Sequence, residues 1–212
     1  LIPGGPGHSH QSVRDISALS AIPNLFLLEP SCESEVELLL DWCINENDKS
    51  SYLRLVSVPV EVNYELPVEY KPVLGKGVTI HNGKKVIIIG YGPLMLSLAY
   101  EFALKIKREF NFDIKVINLP WLNNLDKKWL SDELKDCETL IAIDNHYCQG
   151  GQGMKIAEAL SNFKSDHIEF KHLGVDGVPR CGTTAEVMNA HDFTENTLFK
   201  YIEKHFNKSD IK

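Results

Sequence analysis

The residues best suited to chemistry lie in the opening loop of this chain, where two histidines stand among glycines and prolines. His8 and His10 occur in the run Gly-Pro-Gly-His-Ser-His-Gln, which begins at Gly5 and precedes a helical pattern. Histidine changes charge near neutral pH, so on a loop it can hydrogen bond to a sugar hydroxyl or transfer a proton. Loops of α/β enzymes often carry the reacting groups. We therefore expect both histidines to be catalytic, the alternative being a histidine that only bonds its own backbone.

Two glycine-rich runs could bind a ligand, but each is explained better as a turn. Gly90-Tyr91-Gly92 follows an apolar run, yet Met95 occupies the place of the third glycine of a dinucleotide-binding sequence. The run from Gly150 to Gly153 could hold an anion at the start of a helix. Close packing of a strand against a helix accounts for the same glycines more simply.

The elements that would position these residues alternate between strand and helix. In the first part, the hydrophobic pattern predicts helices over 12–21 and 32–45 and strands over 26–28 and 52–56. In the second part it predicts strands over 86–89, 114–119, 140–144 and 168–173, and helices over 93–110, 127–135, 153–163, 184–189 and 194–206. Such alternation is typical of parallel sheets covered on both faces, so we expect an α/β fold with three layers, α/β/α.

The domain boundaries follow from the same pattern. Residues 1–57 supply only about half of an α/β domain and would leave strand edges uncovered. Residues 58–84 are rich in proline and glycine, which predicts an extended linker with a short hairpin over 77–85. Residues 85–206 form the second domain, and residues 207–212 are a polar tail for which we expect disorder.

The composition excludes several classes of function. The formal net charge is -7 at pH 7, whereas a nucleic-acid partner requires clustered lysines and arginines. No segment approaches the roughly 18 apolar residues of a membrane-spanning helix. The cysteines are scattered without a Cys-x-x-Cys pair, so we expect no zinc site, no disulfides and a cytoplasmic location. They are Cys32, Cys43, Cys137, Cys148 and Cys181.

Several motifs in a fixed order resemble one enzyme family. His10-Gln11, followed by the turn Ile22-Pro23-Asn24-Leu25, resembles the Gly-Pro-Thr-His-Gln loop and the turn after it in the pyrimidine-binding domain of transketolase-like thiamine-diphosphate enzymes. The stretches 74–107, 114–126, 140–160 and 174–204 resemble, in order, the strands, turns and helices of the transketolase C-terminal domain. The chain is therefore similar to a truncated pyrimidine-binding domain followed by a mostly parallel-sheet transketolase C-terminal domain.

The resemblance implies a transferase that moves a two-carbon ketol unit between sugars through thiamine diphosphate and Mg²⁺. In this family the loop histidine lies above the thiazolium ring, so His10, together with His8, would contact the substrate or the reaction intermediate. The resemblance also implies substrate contacts from three further residues, Gln11, Arg54 and Ser57.

Two positions depart from the transketolases proper. Those enzymes have an aspartate where this chain has Pro6 and a phosphate-binding arginine where it has Ser57. A guanidinium is hard to replace in bidentate phosphate recognition, so both departures weaken the expectation of ordinary pentose-phosphate substrates. Arg54 lies close enough in sequence to serve instead, although strand alternation could aim it elsewhere.

Three other readings of the resemblance stay open. The β subunits of 2-oxoacid dehydrogenases have a Gly-Pro-Gln-His-Ser loop, which matches His8, whereas the distance from Gln11 to Pro23 favours His10. An enzyme like 1-deoxyxylulose-5-phosphate synthase is a second alternative. A non-catalytic assembly module, which Pro6 and Ser57 would fit, is the third.

The resemblance implies that the residues that bind the cofactor lie outside this sequence. The family's Gly-Asp-Gly…Asn sequence for Mg²⁺ and diphosphate does not occur here, and its glutamate for the aminopyrimidine would precede Leu1. We therefore expect this chain alone to bind no cofactor or metal and to be inactive. Its expected partners are an N-terminal diphosphate-binding half, fused or separate, a second copy in a homodimer, and a small sugar or oxoacid substrate.

Overall fold

The computed structural model of the chain describes residues 4–162 and 165–206, and these residues form two units, each built on parallel strands. The first unit contains α1 (Asp15–Leu19), β1 (Leu25–Leu28), α2 (Glu33–Asp41) and β2 (Ser50–Leu53). The second unit contains the strands β3 (Val78–His81), β4 (Val86–Gly90), β5 (Ile114–Asn118), β6 (Thr139–Tyr147) and β7 (Glu169–Val175). Its helices are α3 (Gly92–Phe110), α4 (Lys127–Glu133), α5 (Gln152–Leu160), α6 (Thr184–Ala190) and α7 (Glu195–Ile202). The polar tail predicted from 207 lies outside the described residues.

The sheet of the second unit confirms the predicted α/β class. Its strand order is β3-β5-β4-β6-β7, and every pair is parallel except β3 with β5. All residues of the central strand β4 are buried, because helices cover both faces of the sheet. Val86 and Ile88 point to the layer of α3 and α7, while Ile87 and Ile89 pack with α4 and α5. The result is the expected three-layer architecture.

The predicted hairpin over 77–85 is wrong. β3 pairs antiparallel with β5, with Val78 opposite Asn118, and makes no pair with β4. Glycine lets this segment approach β5 closely, since a Cβ on Gly77 would lie 2.6 Å from the carbonyl oxygen of Asn118. The local turn signal is real, but the otherwise unpaired edge of β5 is the stronger attraction for the strand.

The first unit has only a two-stranded parallel sheet, in which Leu25 to Leu28 lie opposite Ser50 to Leu53. β2 begins two residues before the predicted strand over 52–56 and ends three residues before it does. A two-stranded sheet is marginal by itself. The free edge of β1 is therefore covered by the second unit, where Leu122 N–H donates to the carbonyl of Leu27 at 2.8 Å and Glu29 N–H to that of Pro120 at 3.0 Å.

A buried carboxylate ties the first unit, the linker and the second unit together. Glu35 accepts hydrogen bonds from the backbone and hydroxyl of Ser31 at 2.7 and 2.6 Å and from the hydroxyl of Tyr70 at 2.9 Å. The amide of Asn118, at the end of β5, donates to both oxygens of this carboxylate at 2.8 and 2.9 Å. Multiple donors compensate for the cost of burying the charge.

Among the described helices, none is long and apolar enough to cross a bilayer.

Candidate functional site

The opening loop folds as a tight turn that leaves His10 at the surface. Residues Gly7–Ser9 form one 3₁₀ turn, in which Gly7 N–H donates to Gly4 at 3.1 Å and His10 N–H donates to Gly7 at 3.0 Å. The imidazole of His10 is exposed, and its Nδ1 lies 2.9 Å from the hydroxyl oxygen of Ser9. The loop thus presents an accessible histidine whose ring is within hydrogen-bonding distance of its neighbour.

A cleft next to this histidine brings together three of the five residues assigned to the site from sequence. It has a volume of about 180 Å³. The three are His10, Arg54 and Ser57, and the rest of the wall is Ser12, Glu29, Tyr52, Leu53, Leu55, Val56 and Asn145. The cleft forms because the end of β2 runs beside the opening loop.

The other two residues point away from the cleft. His8 is half-buried, and its Nδ1 is enclosed without a hydrogen-bond partner among the described residues. Gln11 is only 5% exposed, and its amide donates to the carbonyl of Arg180 at 3.1 Å. Gln11 therefore contacts the second unit.

Arg54 is the centre of a buried ion-pair cluster at the inner wall of the cleft. Its Nε donates to Asp15 at 2.9 Å and its Nη1 to Glu29 at 2.6 Å, while Nη2 donates to the carbonyls of Ser12 and of Asn145. Burial alone would lower the pKa of Arg54, but the carboxylates of Glu29 and Asp15 raise it above the ordinary value. The guanidinium is charged, and its donors are engaged inside the chain.

The two acids of this cluster have different surroundings. Burial raises the pKa of Glu29, and it outweighs the lowering effect of Arg54. Asp15 also accepts a hydrogen bond from the hydroxyl of Tyr52 at 3.0 Å. Burial and then Asp15 raise the pKa of Tyr52, so this phenol keeps its proton and donates.

Glu29 and Arg54 fill the place where an open α/β sheet usually binds its ligand. That place lies beyond the carboxyl ends of the strands, where the strand order reverses, here between β4 and β6. Arg54 reaches the backbone of Asn145 on β6, and a Cβ on Gly92, just after β4, would overlap Oε1 of Glu29. The first unit thus seals the crevice of the second.

The acid at the end of β6 has a structural role. Asp144 accepts from the N–H groups of Gln152 at 3.0 Å and Gly153 at 2.8 Å, at the start of α5, and from His172 Nε2 at 2.5 Å. The N–H groups that an anion would need are therefore occupied by a carboxylate of the chain itself. This arrangement agrees with the interpretation of the run from Gly150 to Gly153 as a packed turn.

His146 connects the same strand to the first unit. Its Nδ1 lies 2.8 Å from the carbonyl of Tyr147, and its Nε2 accepts from the backbone of Ser17 in α1 at 3.4 Å. Burial lowers the pKa of His146, so the ring is neutral near pH 7, as the acceptor role of Nε2 requires.

In residues 4–162 and 165–206, no group of three or more His, Cys, Asp or Glu side chains could hold a metal ion.

Sequence reasoning missed both partners of Arg54. Asp15 lies in the first turn of α1, where an acid is ordinary. Glu29 directly follows the apolar strand β1, and an acid at the carboxyl end of a buried strand was the available signal. Neither acid could be paired with Arg54 from the sequence, because the arginine is 25 or more residues away.

Comparison with known proteins agrees with this architecture. The sequence profile described as transketolase, C-terminal domain, matches residues 75–198, more than half of the chain. The 1-deoxy-D-xylulose-5-phosphate synthase of Clostridium perfringens (strain SM101 / Type A) is 33% identical over 160 residues, or 74% of this chain and 25% of that enzyme. The enzyme of that name from Halothermothrix orenii (strain H 168 / OCM 544 / DSM 9562) is 28% identical over 203 residues, or 94% of this chain and 31% of that enzyme. The chain thus spans less than a third of the length of these relatives.

Two solved structures share the fold. A split-gene transketolase, in an inactive β4 tetramer, has a TM-score of 0.78 at 22% identity, over 93% of this chain and 62% of that one. The transketolase of Campylobacter jejuni subsp. jejuni NCTC 11168 has a TM-score of 0.70 at 17% identity, over 95% of this chain and 29% of that one. The matched profile runs from just before β3 into α7, so it covers the sheet of the second unit and the helices packed on it. The chain therefore belongs to the transketolase C-terminal domain family.

Proposed function

We propose that the chain is the C-terminal section of a thiamine-diphosphate-dependent transferase that moves a two-carbon ketol unit between sugars. The observation that carries the proposal is the cleft whose lining includes both exposed His10 and Ser57. The family membership supports it. We place the reaction at this cleft, with His10 as the catalytic residue and the second unit as its support.

The size of the cleft supports a shared cofactor site. Pockets for whole small-molecule ligands usually enclose about 300–1,000 Å³. The cleft encloses about 180 Å³, which suits one end of a ligand. When bound, thiamine diphosphate would supply the electron sink for breaking a carbon–carbon bond beside a ketone. We propose that an N-terminal half holds the diphosphate and Mg²⁺, and that His10 and Ser57 cover the reacting end.

Each residue of the cleft then has a distinct task. His10 would exchange a proton with a substrate hydroxyl, with its ring held by Ser9. Ser57 would donate or accept a hydrogen bond but cannot neutralise a phosphate. Arg54 is engaged with Asp15 and Glu29, so its task is to hold the inner wall of the cleft. This combination favours a neutral, hydroxyl-rich acceptor.

We propose that the N-terminal half and a second copy of the chain are its partners, and that the chain alone has no ketol-transfer activity. The structurally similar split-gene transketolase supports this, since its β4 tetramer is inactive. The absence of activity here would have the same cause, a cofactor site divided between two parts of the enzyme. A divided cofactor site would also require an oligomer, and we propose a cytoplasmic location because the cysteines of the chain are free.

The test is ketol transfer by the protein assembled with its N-terminal half, thiamine diphosphate and Mg²⁺, using unphosphorylated and phosphorylated aldoses as acceptors. We expect His10→Gln to lower kcat by about 10²- to 10⁴-fold, the usual contribution of a general acid–base. The matched control is His167→Gln, because His167 is exposed and distant in sequence from the cleft. His8→Gln distinguishes the two histidines. Full activity of His10→Gln would contradict the proposal.

A second candidate is supported by the sequence relatives, which are named 1-deoxy-D-xylulose-5-phosphate synthases. The same assembled protein should be assayed for formation of 1-deoxy-D-xylulose 5-phosphate from an oxoacid donor. A β subunit of a 2-oxoacid dehydrogenase would instead require a lipoyl-domain partner. Isothermal titration that detects no binding of thiamine diphosphate to the assembled protein would favour a non-catalytic assembly module.

A further inference from the structure

We propose that Gln11 and His191 are positioning residues for His10, so that a loop of the second unit sets the geometry of the catalytic loop. The loop concerned, residues 176–183, follows β7 and is called here the clamp loop. This inference rests on the proposed role of His10. For Gln11 it replaces the substrate contact that the family resemblance implies, because the amide faces the clamp loop.

The opening loop and the clamp loop pack backbone against backbone. Gly182 N–H donates to the carbonyl of Gly4 at 3.3 Å. A Cβ on Gly4 would lie 2.7 Å from the carbonyl oxygen of Gly182, and a Cβ on Gly7 would lie 2.7 Å from the sulfur of Cys181. Gly7 also has a φ of 69°, which disfavours any side chain. The two glycines therefore let the histidine-bearing turn lie directly on the second unit.

Gln11 makes the side-chain bond between the two loops. It follows His10 directly, is 5% exposed, and donates to the carbonyl of Arg180 at 3.1 Å. A buried side chain bonded to a partner 169 residues away fixes its own backbone, and with it the backbone of the preceding residue. His10 itself makes no such distant bond in the described structure, since its ring contacts Ser9.

His191 holds the other side of Arg180. The N–H of Arg180 donates to Nε2 of His191 at 3.1 Å, while the carbonyl of Arg180 accepts from Gln11. His191 ends α6 and is 8% exposed. Burial, and then the charge of Arg180, lower the pKa of His191, so that its ring remains a neutral acceptor. The backbone of Arg180 is thus bonded on both sides, and Gln11 is bonded to a fixed point.

The far end of the clamp loop is fixed by a capping box. The Thr183 hydroxyl accepts from the N–H of Glu186 at 3.3 Å, and the Glu186 carboxylate accepts from the N–H of Thr183 at 2.8 Å. The clamp loop is therefore anchored at Arg180 by His191 and at Thr183 by Glu186. Because errors of about 1 Å in position can cost about 10²-fold in rate, such anchoring matters for a catalytic histidine.

The first arm of the test measures amide hydrogen exchange in the full-length protein and does not depend on activity. Gln11→Glu keeps the shape of the side chain but removes the donor, and His191→Leu removes the acceptor. We expect both to speed exchange of the Gly7 and His10 amides about five- to tenfold. Gln149→Glu is the matched control, since Gln149 is exposed. His191→Gln, which retains an acceptor, should restore slow exchange.

The second arm measures kcat and KM in the assembled enzyme. A positioning role predicts that Gln11→Glu lowers kcat about 10- to 100-fold with little change in KM. A rise in KM with unchanged kcat would show that Gln11 binds substrate and would overturn the inference. Unchanged exchange in both Gln11→Glu and His191→Leu would also overturn it. If exchange responds while the wild type shows no ketol transfer, the proposed function fails and the coupling of the two loops stands.

Discussion

The two units of this protein differ in how they are stabilised. The second unit has a five-stranded sheet whose central strand is wholly buried between apolar layers. The first unit has a two-stranded sheet and contacts the second through the apolar side chains of Leu28, Leu39 and Trp42. Beside this apolar contact lies a buried charge cluster of its own, in which Arg54 pairs with Asp15 and Glu29 and also donates to the carbonyl of Asn145. Buried ion pairs contribute little net stability but are costly to break. The second unit therefore carries most of the buried apolar core, whereas the first unit, where we place the chemistry, depends on the second for its position.

The largest expected effect comes from removing the central charge. Arg54→Met leaves Asp15 and Glu29 buried without a counter-charge, which should lower the free energy of unfolding by about 3–5 kcal/mol. Hydrogen exchange should show early loss of protection in β1 and retained protection in β4. Arg108→Met, at an exposed position of α3, is the control and should change stability by less than about 0.5 kcal/mol. Simultaneous unfolding of both units would contradict the comparison.

The next effect concerns the buried carboxylate that joins the units. Glu35→Gln replaces one oxygen by an amide that faces the donors of Ser31, Tyr70 and Asn118. We expect a loss of about 2–3 kcal/mol in urea unfolding, because hydrogen bonds to a charged group are lost and a donor is left unpaired. Glu37→Gln changes an exposed acid of the same helix and is the matched control. Equal stability of the two variants would show that Glu35 does not join the units.

Comparing alanine substitutions at two glycines measures the cost of steric contact between the units separately from the cost of backbone strain. Gly92 and Gly177 have similar φ values, 69° and 66°, but a Cβ on Gly92 would meet Glu29, whereas nothing lies within 4 Å of a Cβ on Gly177. Gly92→Ala should therefore cost about 1–3 kcal/mol more than Gly177→Ala, the usual cost of overpacking. The difference, measured by thermal or urea unfolding, reports how tightly the first unit fits the crevice of the second. No difference would mean that the Glu29 side chain moves away from the added methyl group without a measurable loss of stability.

The smallest effect is a dependence on pH. Burial lowers the folded-state pKa of His146, and the pKa values of His191 and His205 are lowered too. As the pH falls below about 6.5, these histidines bind protons in the unfolded chain before they do so in the folded protein. Their contribution to the free energy of unfolding is therefore present above this pH and is lost below it. The slope is at most about 1.4 kcal/mol per pH unit for each histidine. His146→Gln should flatten the slope between pH 7 and 5, whereas His167→Gln should not; identical slopes would contradict the assignment.

The sequence predicts the second unit well because its signals are local. A run of buried β-branched residues predicts β4, and proline in the first turn with regular apolar spacing predicts α3. The segment over 77–85 was misread because the partner of β3 is β5, more than 30 residues later in the chain. Pairing across such a distance leaves no trace in the local pattern.

The site was predictable only in part. The family resemblance predicts His10 and Ser57 as site residues; both line one cleft, and their roles stay predictions. The direction in which Arg54 points could not be predicted, since it depends on acids at Asp15 and Glu29 that look like ordinary helix and loop residues in the sequence. Buried polar clusters join distant positions of the chain, so they become visible only when the packing is known.

The distances along the chain between the bonded residues have a kinetic consequence. The contacts that hold the first unit join residues separated by 91, 129 and 169 positions, as in Arg54 with Asn145, Ser17 with His146 and Gln11 with Arg180. Closing such long loops is entropically costly and slows folding. During synthesis the opening segment leaves the ribosome before the residues of the second unit on which it docks. The histidine loop therefore acquires its final geometry only after the clamp loop and His191 have been translated.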